Sequence, residues 1–256
     1  MNMLLLCIVI FVDSDDFWVG EDSLQKLVDI AEKHPECDFI GYNCNYFYEN
    51  TGNYRKWVAY PETLLSSVTG DQAMQMLVTT GTFPMSACLK LMKRTILTDN
   101  GITFKVGKIA EDIPWFINLL EHTESCMFVN EYIYAYHQNV SGSITASAGE
   151  RSHNSLLDIV KTELEKIDGR SFTDEAKDAL RSFLAYEVSI LMAGVYRKLP
   201  KEKQPAAHKE LKSLCWLLKY TQNPKVRMVS KVYSIFGYAI TTRVLRMYNK
   251  YRARKQ

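Results

Sequence analysis

An apolar run of ten residues, Met3 to Val12, drives straight into Asp13-Ser14-Asp15-Asp16. No other feature narrows the fold as much. A bilayer-spanning helix needs about 20 apolar residues, so the run is too short to span. It also lacks the basic lead and small-residue cleavage site of a signal peptide. A buried parallel strand over 4–12 in an α/β sheet is the reading that fits. Three carboxylates within four positions repel one another unless something positive sits between them. In an extended chain Asp13 and Asp15 point the same way, at the strand's C-terminal end, where open α/β sheets bind ligands. A hard divalent cation, Mn²⁺ or Mg²⁺, would relieve the repulsion and keep positions for water and phosphate oxygens. The competing reading is an Asp-rich turn that caps the next helix.

Periodicity organises the rest. The spacing predicts helices over 21–34, with Glu21 and Asp22 in the first turn, and over 70–81 and 111–123. Residues 86–101 read as a short strand or helix and then a helix ended by Asn100-Gly101. Strands are expected at 37–48 and 126–138, and 54–70 looks irregular. The loop 141–150 marks a domain boundary, with one part ending at 148 and the other starting at 149. Helical periodicity then dominates, over 153–167, 173–198, 205–221 and 225–253. No other segment is expected to be long and apolar enough to span a membrane either.

Charge is divided unevenly. From Leu211 to Gln256 there are eleven Lys and Arg and no Asp or Glu, although the whole chain carries only +2. That split directs the basic end toward an anionic surface. Within it Arg243, Arg246, Lys250 and Arg254 share one helix face, beside an apolar stripe of Ile240, Val244, Met247 and Tyr251. An amphipathic helix of this kind lies on an anionic membrane or packs its stripe on its own protein. Nucleic acid is not an expected partner, because no recognised module accompanies the charge. Six cysteines without a CxxC pair read as buried reduced thiols in a cytoplasm rather than metal ligands.

A second acidic pair, Glu111–Asp112, opens a helix. A carboxylate there caps the helix or serves as a general base beside a cleft.

Three stretches together resemble family-2 glycosyltransferases of the GT-A fold, the bacterial type that builds cell-surface polysaccharide. They are "IVIFVDSDDFW" (8–18), "CLKLMKRTILTDNGITFKVGKIAEDIPWF" (88–116) and "EYIYAYHQNVSGSIT" (131–145). A phosphatase of the haloacid dehalogenase type also starts with an apolar strand and Asp-x-Asp, but it wants Thr or Val where Phe17 stands. The resemblance implies an incomplete GT-A-like, Rossmann-like mixed sheet with flanking helices, followed by an all-helical C-terminal region. It implies that Asp13, Asp15 and Asp16 face the nucleotide-sugar donor, with Asp15 and Asp13 on the metal. Asp112 would deprotonate the acceptor hydroxyl, and Glu111 would shape the acceptor site. His137 stands where many relatives have Arg.

The family's opening strand and Asp-Asp-x-Ser turn, which hold base and ribose, have no counterpart here. The expectation is a chain that lacks its N-terminal nucleotide-binding half, associates with that half or with other chains, and transfers sugar poorly alone. The expected acceptor is a saccharide or a lipid-linked sugar, and the expected location is cytoplasmic, peripheral on the inner face of the cell membrane. The alternative is a catalytically inactive remnant that binds a partner or a membrane.

Overall fold

The computed structural model describes residues 8–138 and 149–253. They fall into two compact units. One takes in 8–76, 82–106 and 111–138. The other takes in 77–81, 107–110 and 149–253.

The first unit is built on a mixed sheet of β1 (Ile8–Ile10), β2 (Phe17–Trp18), β3 (Phe39–Tyr48), β4 (Asn53–Lys56), β5 (Lys90–Lys93) and β6 (Cys126–Gln138). The strand order is β1-β5-β3-β6-β2, with β4 also on β3. β3 and β6 run parallel, and the other pairs are antiparallel. Of the buried parallel strand expected over 4–12, β1 is the described part, and it is instead half-buried and antiparallel to β5, the strand it pairs with; residues 4–7 lie outside the described residues. α1 (Ser23–Lys33) starts after Glu21 and Asp22, so those acids precede its first turn; Asp22 pairs with Lys26 at 3.1 Å. α2 (Gly70–Thr80) and α3 (Arg94–Asp99) follow, and then α4 (Asp112–Glu121). Seven of the ten residues of α4 are buried, the mark of a helix enclosed on nearly all sides.

Glycine is required where β3 meets β6: a Cβ on Gly41 would lie 2.3 Å from the Phe128 ring. Beyond that contact the β3–β6 register shifts twice, between Gly41 and Asn43 and between Asn43 and Cys44. Extra residues of β6 bulge there, and a bulge leaves ladder groups unpaired. Asparagines take over. Asn130 Oδ1 accepts from Asn43 Nδ2 at 3.2 Å and from the Tyr60 amide at 2.8 Å, and Asn45 Nδ2 donates to the Tyr132 carbonyl at 2.8 Å. The bulge thereby aims Tyr134 and His137 at the acidic turn.

The second unit is helical: α5 (Gly149–Lys166), α6 (Asp174–Lys198), α7 (Gln204–Ser213) and α8 (Pro224–Ala253). The helix expected over 205–221 ends at Ser213, and a 3₁₀ turn over Cys215–Lys219 replaces its second half. The boundary loop lies mostly outside the described residues; its last two, Gly149 and Glu150, already belong to α5. α6 corrects the expectation about membrane spans. With a mean hydropathy of 1.2 it is long and apolar enough to cross a bilayer, yet 78% of that window is buried within the protein. Phe183, Leu184, Val188 and Met192 make it the core of the helical unit. The five described cysteines are free and buried.

Candidate active site

The acidic turn joins β1 to β2, the two-residue strand that pairs with β6 through Phe17–Ala135 and Trp18–Tyr134. One hydroxyl organises the turn. Tyr134 Oη accepts from the Asp13 amide at 3.2 Å and donates to Asp16 Oδ2 at 2.7 Å. The His137 amide donates to Asp16 Oδ1 at 2.8 Å, and the Asp16 amide donates to the Asp13 carbonyl at 3.2 Å. Both Asp16 oxygens therefore hold the turn together. Burial raises the Asp16 pKa; the His137 and Tyr134 hydrogen bonds oppose that shift. Asp16 was expected to face the donor alongside its neighbours; in the structure each of its carboxylate oxygens accepts a hydrogen bond from the protein.

Asp13 and Asp15 differ from it. Both are exposed, and among the described residues no protein group hydrogen-bonds to either carboxylate. His137 Nδ1 lies 3.3 Å from the Asp15 carbonyl, and its Nε2 lies 3.4 Å from Glu49 Oε2. Among the described residues no three His, Cys, Asp or Glu side chains converge as a metal site. Two free carboxylates do suit two ligand positions of a hard divalent ion whose remaining positions go to water and diphosphate oxygens. The donor set fits such an ion only with a ligand's help.

Asp112 sits in the first turn of α4. Glu111 occupies the N-cap position with helical dihedrals and makes no side-chain cap, so the capping alternative does not describe it. Nor does Asp112 cap its own helix. Its Oδ1 accepts from the Ala87 amide at 3.4 Å, across the unit. Burial raises the Asp112 pKa; Lys90 and the Ala87 amide pull it back, and the Glu111 and Asp13 charges push it further up. Asp13 and Asp112 thus lie within electrostatic reach of each other. The Cys88 thiol, pushed up to about 11 by burial, feels both carboxylates. An aromatic cluster ties the two backbones: Phe11 meets Trp115 edge-on at 6.1 Å, and Trp115 stacks on Phe104 at 5.2 Å.

Lys90 is the residue that sequence reasoning passed over. It is fully buried on β5. Its ammonium donates to the Pro84 and Ser86 carbonyls at 2.6 and 2.7 Å and stands 3.9 Å from the centroid of Phe116. Burial lowers its pKa, and Asp112 opposes that shift. A lone Lys inside "ACLKLM" was the available signal. Ala110, two residues before Asp112, has φ 64°, a left-handed conformation that a Cβ disfavours. Such strain costs on the order of 1–3 kcal/mol and clusters at functional sites.

With this geometry, comparison with known proteins places the fold. No family model and no curated protein sequence matches the chain. Solved structures do. Residues 1–349 of S. aureus TarS in complex with UDP-GlcNAc are similar, with a TM-score of 0.61 and 18% identity over 95% of this chain and 67% of that one. The same TarS segment without ligand gives 0.57, with 17% identity over 95% and 66%. A longer TarS structure gives 0.56, with 18% identity over 92% of this chain and 40% of its own. The fold is a glycosyltransferase fold: a mixed sheet with flanking helices followed by a helical region.

Proposed function

We propose that the chain is a glycosyltransferase, or the part of one that carries the diphosphate-facing acids and the acceptor base. It belongs by this reading with family-2 enzymes of cell-surface polysaccharide synthesis and moves a sugar from a nucleotide-sugar donor to a saccharide or lipid-linked acceptor. The observation that carries the proposal is the pairing of Asp13 with Asp112. Asp13, whose carboxylate has no hydrogen-bond partner among the described residues, lies within electrostatic reach of a half-enclosed carboxylate of raised pKa, and such groups mark catalytic acids and bases.

Asp13 and Asp15 would hold Mn²⁺ or Mg²⁺, which when bound neutralises the leaving diphosphate. Asp112 takes the proton of the acceptor hydroxyl. That oxygen then forms the bond to the anomeric carbon, and the bond from that carbon to the diphosphate oxygen breaks with its electron pair. Lys90 favours the ionised form of Asp112 and so keeps it ready to accept the proton. Glu111, beside it, faces the acceptor side.

One TarS structure holds UDP-GlcNAc, so a UDP-sugar is the donor to test first. Slow, Mn²⁺-dependent release of UDP from UDP-GlcNAc is expected, with water as the acceptor. Asp112→Asn should slow it by about 10² or more, the usual worth of a general base. Equal rates in wild type and Asp112→Asn would remove Asp112 from the reaction. No release at all would favour the non-catalytic alternative.

A further inference from the structure

The last helix exposes its most apolar face. Gly237 interrupts α8 with φ 68° and ψ −175°, leaving two segments. In the second, the fully buried residues are small and polar, while Tyr238 and Leu245 are half-buried. Thr241 and Thr242 are 1% and 2% exposed, and their hydroxyls donate back to the Gly237 and Tyr238 carbonyls at 2.8 and 2.9 Å. Five bulky residues are left out. Ile240, Val244, Met247 and Tyr251 are 42%, 45%, 70% and 56% exposed, and Tyr248 beside them is 57% exposed. At about 100° per residue the stripe they form is turned roughly 120° from the threonine face. Arg243 and Lys250 border it on the flank away from the threonines, while Arg246 stacks over Tyr196 at 4.5 Å. The first segment repeats the theme: Met228 and Ile235 are 72% and 71% exposed, with Lys231 on the same face.

We propose that α8 docks on an anionic lipid bilayer. Its apolar stripe enters the boundary between headgroups and acyl chains, and its cations meet lipid phosphates. Tyr248 and Tyr251 suit that depth, where amphipathic rings collect. Charge selects this occupant over a second copy of the chain. Eleven cations and no acid lie between Leu211 and Gln256, so two such helices face to face would bring like charges together. Within the helical unit the threonine face is the one buried, and the stripe is left exposed.

The test is co-sedimentation of the full chain with phosphatidylglycerol vesicles and, separately, with phosphatidylcholine vesicles, at low and high salt. It reads membrane docking whether or not the chain turns over a donor. Binding to the anionic vesicles alone, weakened by salt, is expected. Arg243→Gln with Lys250→Gln should weaken partitioning about 30-fold, taking about 1 kcal/mol per cation near the surface. Ile240→Ser with Met247→Ser should weaken it at least tenfold with an unchanged thermal unfolding curve. Equal binding to neutral vesicles, no binding to either kind, or indifference to both double variants would overturn the proposal. So would a dimer in light scattering that Ile240→Ser with Met247→Ser converts to monomer, since a second copy would then cover the stripe.

Discussion

Tyr134 Oη lies 2.7 Å from Asp16 Oδ2 and 3.2 Å from the Asp13 amide, so one phenol spans the acidic turn from end to end. The turn's four residues thereby separate into two kinds. Asp16 is hydrogen-bonded by the protein, and the carboxylates of Asp13 and Asp15 are exposed. An acidic cluster that would be costly if all its members faced inward is stable because one member is hydrogen-bonded by the protein and the others meet solvent.

Tyr134→Phe tests that division. The ring stays, but a part-buried amide and a part-buried carboxylate lose their shared partner, which costs about 1 kcal/mol or somewhat more. Asp16→Ala should cost a similar amount. Asp15→Ala, at an exposed position, should stay within about 0.5 kcal/mol of wild type. Urea unfolding measures all three. Equal losses for Asp15→Ala and Asp16→Ala would contradict the assignment.

Lys90 predicts a pH effect. Its charge pulls the raised pKa of Asp112 downward, so removing it leaves burial unopposed. For a base that must be ionised, the acidic limb of the rate profile should move to higher pH in Lys90→Met. The change also leaves the Pro84 and Ser86 carbonyls without their donor, so a loss of about 3 kcal/mol in stability should accompany it. The displaced limb, read on whatever folded protein remains, separates the electrostatic role from the structural one. A limb that stays in place would deny Lys90 that role.

Glu187 of α6 governs the stability of the helical unit. It is 3% exposed, and its Oε1 has no hydrogen-bond partner among the described residues. Burial pushes its carboxyl up to about 8 from an ordinary 4.5. The folded protein holds this proton and the unfolded chain releases it, so the raised pKa favours folding at low pH. Its contribution is complete below pH 4.5 and is lost as pH rises to about 8. The slope is about 1.4 kcal/mol per pH unit within that window. Glu187→Gln should remove this loss and be more stable than wild type at pH 7.5 by several kcal/mol. Denaturation midpoints at pH 5 and pH 7.5 decide it, and parallel pH dependence in the two proteins would contradict the prediction.

Much of this was legible in the sequence. The strand read over 126–138 from partial alternation is β6 with the same bounds, and the helix read over 70–81 is α2 to within one residue. Long periodic segments carry their own signal. β2 was not legible, because two residues contain no period and exist as a strand only through β6. The break at Leu214 was hidden because apolar spacing continues through Cys215, Leu217 and Leu218, which a 3₁₀ turn buries equally well. The acids at 13, 15, 16 and 112 stood out by composition. The difference between the hydrogen-bonded Asp16 and the exposed Asp13 and Asp15 depended on Tyr134, 118 residues from Asp16, and no local pattern announces such a partner. Ala110 likewise gave no warning, since a left-handed turn is usually marked by glycine.

Binding of UDP-GlcNAc measured by calorimetry with and without Mn²⁺ tests the central claim most directly. The account predicts metal-dependent binding that is weakened at least tenfold in Asp15→Asn and in Asp13→Asn, with both variants as stable as wild type. Binding of equal strength without Mn²⁺, or binding that survives in Asp13→Asn with Asp15→Asn, would contradict it.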